Sequence, residues 1–554
     1  MELCRSNEVF LKLGDPAFQE FWDRLYEACP WKTAFQNRLF VETWYQHYQT
    51  EFEPVLLYST DPGTPALLPL ARNGKAVVVA GAHQAEYQAW LAREGEPGFL
   101  PEALRLLRER FEFETLSFKY LPPGFPTRIL PKEIADVQLI RRPLMRVNPV
   151  DKLAASLKKK GNKSRLNGIR QGGELVLEHI TDARRLGEVL DEVILMYDFR
   201  QGAVNNSVPF EEDPQKKAFH LALARVPGLM HCTILRCGNQ LFAALLGLCS
   251  GNTVHSGVFA HSPLSGKYSP GKLHLLLLGM KLHEEGFTFL DLTPGGYEWK
   301  DRFATEHDAV HRATIYVSRA ARKRAALKQV AIDTAKRIAA VLNMPTEAAG
   351  KRWRRFSGLR VRGALARIRS WFSMNAEVRI YRAEAAKVKR EGSPCEASKN
   401  QLRDLLQAPP TKSGKTRAEF LSQALRRLES GDHHVYSHVE KGEIVRSGWL
   451  LERREKEFLI EVQQDLILAP HSALLFDFSG TTNDSQQRDY NSVLARMAED
   501  ATRIPGTEWL YACVRGDDSE WRKAIENAGF SYQGSLSLTV RMGRSKKWTS
   551  VLAD

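Results

Sequence analysis

No apolar run in this 554-residue chain approaches the ~20 residues that a membrane-crossing helix needs. The opening MELCRSNEVF also lacks the basic-then-apolar pattern of a secretory leader. Together these absences point to the cytoplasm. Cysteine is sparse: the seven residues (4, 29, 232, 237, 249, 395 and 513) are odd in number and never at CxxC spacing. That suits a reducing compartment, excludes a disulfide framework and gives no zinc module, so no metal is expected. What is present, 43% apolar and 26% charged residues, is the composition of a globular protein, and the length calls for two to four domains.

The net charge of +14 is unevenly placed. Residues 318–371 hold fifteen Lys or Arg against only Asp333 and Glu347, a net of +13, so the rest of the chain is close to neutral. Leu327, Val330, Ala331, Ile338 and Leu342 recur there at helical spacing, and so do Val361, Leu365, Ile368, Trp371 and Phe372. A basic helix with an apolar stripe suits an anionic membrane surface or a stripe packed on the protein itself. Nucleic acid is disfavoured as a partner, because no aromatic-interleaved base-reading motif accompanies the charge.

The pattern predicts an α/β (α+β) fold with mixed sheets. Helices are expected at Pro16–Ala28, Arg38–Tyr48 and Pro101–Arg110, and strands at Pro54–Tyr58, Ala66–Ala71, Ala76–Ala80 and Thr115–Tyr120. Trp31, Phe35, Gln36 and Trp44 are either groove-lining or core residues. Further on come a basic helical stretch Ser156–Arg165, a helix Ala183–Arg200, a polar segment Gly202–Asp213 that reads as a mobile lid, and strands Leu229–Arg236 and Gln240–Cys249 joined at Cys237-Gly238-Asn239. Val310–Val317 is expected to close the second sheet.

The most informative stretch is 253–303. A β-branched and aromatic strand, Thr253–Ala260, leads into Ser265-Gly266-Lys267-Tyr268-Ser269-Pro270-Gly271 and then a leucine-rich helix from about Lys272 to Glu285, stopped by Gly286. A second buried strand, FTFLDL (287–292), is broken by Thr293-Pro294-Gly295-Gly296. The first turn of a helix offers unpaired N–H groups and the positive end of its dipole, so a diphosphate fits there. Gly271 would allow close approach, and Lys267 and Lys272 would add charge. The alternative is a turn that simply starts a core helix.

YSPGKL (268–273), followed after a helix by DL…GG.EWK..F (291–303), resembles the FemAB/CelD-like branch of the GNAT acyltransferase superfamily. The resemblance covers about residues 1–318 as two tandem GNAT-like halves. It implies a non-catalytic half at 1–135 that walls a substrate groove, and a catalytic, coenzyme-binding half at 136–318. By the resemblance, acyl-CoA (acetyl-CoA or longer) is the co-substrate, its pyrophosphate held by Lys267, Tyr268, Ser269, Gly271 and Lys272, with no metal. The thioester carbonyl would meet a backbone N–H within His255–Ala260. Asp291 is the first choice of base, because a carboxylate inside FTFLDL is costly without a task or a partner. His255 and Glu298 are weaker choices, and a structural Asp291 paired with Lys300 or Arg302 competes evenly. Tyr197, Arg200 and Lys300 are the substrate-binding candidates.

After the basic linker (319–376), residues 377–545 resemble a further GNAT domain, with strands EVRIYR (377–382), Glu443–Leu451, Glu457–Gln463, Ala473–Phe478 and Glu508–Val514, helices Arg417–Glu429 and Tyr490–Thr502, and a closing AIENAGFSY. The glycine-bearing pyrophosphate loop of the family is replaced by Ser485-Gln486-Gln487-Arg488-Asp489, and Ile525 stands where many members carry tyrosine. Poor coenzyme binding is therefore expected there. Three activities stay open: acyl-CoA-dependent N-acylation of an envelope or exopolysaccharide precursor or a lipid amine; Fem-like transfer from aminoacyl-tRNA to a cell-wall precursor; and a non-catalytic binding role. The acceptor would be a small or lipid-linked molecule, and the protein either free in the cytoplasm or peripheral on the inner face of the membrane.

Overall fold

The computed structural model describes residues 1–93, 98–341, 373–389, 397–407, 416–440, 442–452, 455–480, 487–541 and 544–551. It divides into two compact units. The first comprises Met1–Val193, Asp213–His261 and Pro270–Phe356; the second comprises Ile194–Glu212, Ser262–Ser269 and Ser357–Asp554. Among the described residues no helix is long and apolar enough to cross a membrane.

One 13-stranded mixed sheet organises the first unit. Its strands run in the order Glu2–Arg5, Glu53–Ser59, Ala66–Asn73, Ala76–Val79, Thr115–Leu121, Glu306–Tyr316, Ala135–Arg146, Phe289–Asp291, Thr253–His261, Gln240–Ser250, Met230–Cys237 and Leu175–Ile180, with Leu91–Ala92 pairing Ala66–Asn73 off this path. The strand expected to close the second half of the chain lies instead between the two halves. Glu306–Tyr316 pairs with Thr115–Leu121 on one side and with Ala135–Arg146 on the other. The two GNAT-like patterns thus share one sheet, continuous across the boundary expected near residue 135.

The helices Pro16–Ala28 and Arg38–Tyr48 match their expected limits, and each starts on a side-chain cap: Asp15 accepts from the Ala17 N–H and Asn37 from the Leu39 N–H. Trp31, Phe35, Gln36 and Trp44 are all buried in the first half, Trp44 completely. They build the core there instead of lining an open groove. Gly286 ends the leucine-rich helix at φ +85°, a conformation that glycine adopts without a Cβ penalty.

The second unit carries an eight-stranded sheet in the order Ser398–Lys399, His433–Glu440, Glu443–Leu451, Ser472–Gly480, Trp509–Arg515, Ser373–Glu384, Ser531–Arg541 and Arg544–Val551. The single strand expected at Glu457–Gln463 is a hairpin, Lys456–Leu459 with Gln464–Ile467, whose turn holds Gln463 at φ +51°. The segment Gly202–Asp213, read as a lid, is mostly helical. The helix Ala183–Asn205 runs into it, and Asp198 accepts from the N–H groups of Phe210 and Glu211, which fixes the short helix Pro209–Glu212. Of the basic linker, Arg319–Val341 is one helix with Leu327 and Val330 exposed on it, while the stripe from Val361 to Phe372 lies outside the described residues.

Candidate active site

The leucine-rich helix spans Pro270–Glu284 and starts on a proline, which has no N–H to leave unpaired. Its first turn carries Gly271 and Lys272. A β-carbon on Gly271 would fall 2.5 Å from the His261 ring, so this glycine is required by the imidazole packed against it, and the space expected for a ligand on that side is filled. The charge beside it is a different matter. Lys272 loses proton affinity through partial burial and then through the positive charges of Arg165 and Lys159. Two cations of the basic helical stretch thus act electrostatically on the first turn of this helix. Among the described residues none of the three has an ion-pair partner. Three like charges held together without a carboxylate, beside the positive end of a helix dipole, attract an anion.

The turn preceding the helix belongs to the second unit, and there it is used for packing. A β-carbon on Gly266 would come 2.5 Å from Glu429 Cα, in the helix Arg417–Ser430. Lys267 lies along Gly431, its ammonium 5.1 Å from the Tyr268 ring centre. Ser269 takes φ +51° with its N–H on Gly266 O. In the same unit Arg200 is paired with Glu429 at 2.8 Å, and Tyr197 meets Phe210 edge-on at 5.9 Å. The guanidinium proposed to grip substrate is neutralised by the protein's own carboxylate.

Back in the first unit, the strands Thr253–His261 and Phe289–Asp291 run parallel and share only three rungs, Thr253 with Phe289, Val254 with Leu290 and His255 with Asp291. Beyond that point they separate. On its other edge Thr253–His261 pairs with Gln240–Ser250 through an irregularity: Leu246 faces Val258, but Gly247 faces Ser256, so Gly257 is the extra residue of a bulge. A β-carbon there would lie 2.9 Å from Leu246 O. The result is a wedge between two parallel strands, whose ladder among the described residues stops at His255 and Asp291.

Asp291 sits where the strands part, fully buried. Its Oδ1 accepts from the Thr293 N–H at 2.8 Å, which turns the chain away with Thr293 at φ +66°. Its Oδ2 accepts from the Tyr87 hydroxyl at 2.5 Å and from Arg142 at 3.3 Å, and lies 2.9 Å from His255 Nδ1. Burial alone would raise this carboxyl's pKa; the His255 contact, Arg142 and the Tyr87 hydroxyl outweigh it and hold the pKa below the usual carboxylate range. Arg142 is shared with Asp308, bound through two nitrogens. His255 Nε2 lies 3.0 Å from Ser250 Oγ, which accepts from the Ala34 N–H. Phe35 and Tyr87 flank the His255 ring at 5.8 and 5.3 Å. The parallel register puts Asp291 beside His255, its weaker rival for the role of base, and the direct cationic partner of Asp291 among the described residues is Arg142, while Lys300 only feels its charge.

A carboxylate with four donors and a depressed pKa is a weak proton acceptor. Asp291 ties the end of its strand to the first half of the chain instead. Lys300, buried and with its pKa lowered by that burial, donates to Thr293 O and Oγ1 at 2.9 and 2.8 Å and so holds the same turn. Glu298 is solvent-exposed, with Arg302 3.6 Å away. Sequence reasoning missed Tyr87, Arg142 and Ser250. Arg142 carried one signal, a charge inside the strand run LIRRPLMR; Tyr87 comes from an irregular loop and Ser250 from a hairpin end, with none.

Residues 157–301 match the family model described as an acetyltransferase (GNAT) domain. No curated protein sequence matches the chain. Among solved structures the chain is similar to FemX (10% identity, 53% of this chain and 95% of that one, TM-score 0.39). It is also similar to the C-terminal domain of a putative lysylphosphatidylglycerol synthetase from Agrobacterium fabrum (11%, 53% and 90%, TM-score 0.36). A third is a tandem GNAT protein from the clavulanic acid biosynthesis pathway (10%, 69% and 100%, TM-score 0.21). The helix start, the bulged strand and its parting parallel neighbour all lie inside the stretch that matches the GNAT-domain model.

Proposed function

We propose that the first unit is an acyl-CoA-dependent N-acyltransferase, acting on the amino group of an envelope or exopolysaccharide precursor or of a lipid amine. The observation that carries this reading is Lys272 in the first turn of the Pro270–Glu284 helix, within electrostatic reach of Lys159 and Arg165, with no ion-pair partner for any of the three among the described residues. It is a seat for the coenzyme phosphates. From there the acyl arm would run into the wedge between Thr253–His261 and Phe289–Asp291, where a backbone N–H of the Ser256–Ala260 stretch would hold the thioester carbonyl. The amine nitrogen forms the new bond to the carbonyl carbon, the carbon–sulfur bond breaks, and the proton lost by the amine ends on the coenzyme thiolate. Asp291 and His255 would shape the floor of that wedge.

Calorimetry with acetyl-CoA and a long-chain acyl-CoA tests the reading. Saturable binding is expected, weakened at least tenfold in Lys272→Glu and in Arg165→Glu, since charge-assisted phosphate contacts contribute about 1.5–3 kcal/mol each. Failure of both thioesters to bind, with consumption of aminoacyl-tRNA, would replace it by the Fem-like alternative. Gly271→Asp is a poor probe, because it displaces His261 whether or not a ligand binds.

A further inference from the structure

Away from the wedge, at the other end of the same helix, the first unit holds a second group of convergent side chains. His179 lies on the strand Leu175–Ile180 and His231 on the neighbouring Met230–Cys237. In the antiparallel register His179 faces Thr233, so His231, two residues away, points to the same side of the sheet as its diagonal neighbour. The two imidazoles stack with centres 4.1 Å apart and planes 26° apart. Glu285, just past the last turn of the helix Pro270–Glu284, reaches both: Oε1 lies 2.7 Å from His179 Nδ1 and Oε2 2.7 Å from His231 Nε2.

We propose that His179, His231 and Glu285 bind one transition-metal dication of the zinc type, in a site separate from the transferase wedge. Two imidazoles and a carboxylate are the donor set that a borderline metal selects, and three protein ligands leave a further position open. The three donor atoms already lie within 4.8 Å of one another. Donors around a shared zinc ion stand about 3.3 Å apart, from bond lengths of about 2.0–2.1 Å, so small rotamer adjustments close the site. The open position faces a cavity of about 430 Å³ lined by all three residues together with Asp182, Cys249 and Phe287.

Two more features favour a cation over a simple polar contact. His231 is only 2% exposed and meets the Glu285 carboxylate through Nε2 at 2.7 Å, so a cation between them would be held largely out of water. The backbone carbonyls ending the helix also place negative potential at Glu285. Lys281 competes, 3.6 Å from Glu285 Oε1, but it lies equally near Glu284, at 3.7 Å, and can rest there.

The test is a Co²⁺ titration of the tag-free full-length protein after chelator treatment, read by visible d–d absorption and repeated with Zn²⁺ as competitor. One equivalent of Co²⁺ should saturate the signal, and Zn²⁺ should abolish it. Affinity should fall at least tenfold in His179→Gln and in Glu285→Gln, with circular dichroism and thermal melting recorded for both. If one variant fails to fold, the other decides. Absence of saturable absorption in the parent protein, or equal binding in every folded variant, overturns the proposal.

Discussion

Replacing Asp291 by Asn separates a holding role from a purely chemical one. The change keeps the side-chain volume and leaves an oxygen to accept from the Thr293 N–H, but it puts an NH2 group where Tyr87, His255 and Arg142 all converge. Removing one partner of a buried ion pair costs about 3–5 kcal/mol. Arg142 keeps Asp308, so the lower end, about 3 kcal/mol, is expected. At about 2.1 cal/mol/K per residue, a unit of this size loses about 1.4 °C of Tm per kcal/mol, so the first unit should melt about 4 °C earlier. Differential scanning calorimetry is the assay, because it resolves the transitions of two units that need not unfold together. The pH dependence supplies an independent check. A carboxyl whose pKa is depressed in the folded state stabilises at pH above its unfolded value, about 4, and that contribution disappears as pH falls through the folded value. The deficit of Asp291→Asn should therefore be complete at pH 7 and shrink below about pH 4. A variant that melts within one degree of the parent while losing transfer activity would refute the holding role and restore Asp291 as a proton acceptor.

His274, fully buried with Nε2 2.9 Å from Thr233 Oγ1, has its pKa pushed down to about 3 by burial and then by His231. An unfolded chain takes up that proton below about pH 6.5 while the folded one does not, so stability is complete above pH 6.5 and falls on acidification. The loss is about 2 kcal/mol at pH 5 from this residue. His274→Gln should flatten that limb in denaturant titrations at pH 7 and pH 5. In the second unit, Gly266→Ala should lower thermal stability by about 1–3 kcal/mol, since its new methyl meets the backbone of Glu429. A melt unchanged by that substitution would show that the turn is not packed on the helix Arg417–Ser430.

Local signals carried much of the fold. The helices Pro16–Ala28 and Arg38–Tyr48 begin on Asp15 and Asn37, residues whose side chains accept from the first free N–H groups, and such caps are visible in one dimension. The strands around residues 230–261 are equally plain, because short, largely apolar runs end at Gly238 and at Gly251. Pairing order is another kind of fact. Nothing in Glu306–Tyr316 announces that it will sit between Thr115–Leu121 and Ala135–Arg146, because its alternating pattern suits any antiparallel neighbour. The lid reading of Gly202–Asp213 failed for a related reason: polarity was visible, but the cap supplied by Asp198 from within the preceding helix was not.

The candidate sites divide the same way. Asp291 was found because a carboxylate in an apolar strand needs a reason, and its reason, Arg142, stands 149 positions earlier. The sequence offered Lys300 and Arg302 merely because they were near along the chain. The two imidazoles and the carboxylate at residues 179, 231 and 285 were invisible to a search for spaced ligands, since the sheet register and a helix end assemble them, not a motif. Lys159, Arg165 and Lys272 show the intermediate case. Each half of that group was recognised as basic by itself, and the structure adds that the charges of Arg165 and Lys159 are felt at Lys272. Composition therefore identifies which charges need partners, while topology decides which partners they get. An Arg165→Glu variant tests that step directly: a cation more than a hundred positions from Gly271 should govern coenzyme affinity as strongly as Lys272 itself.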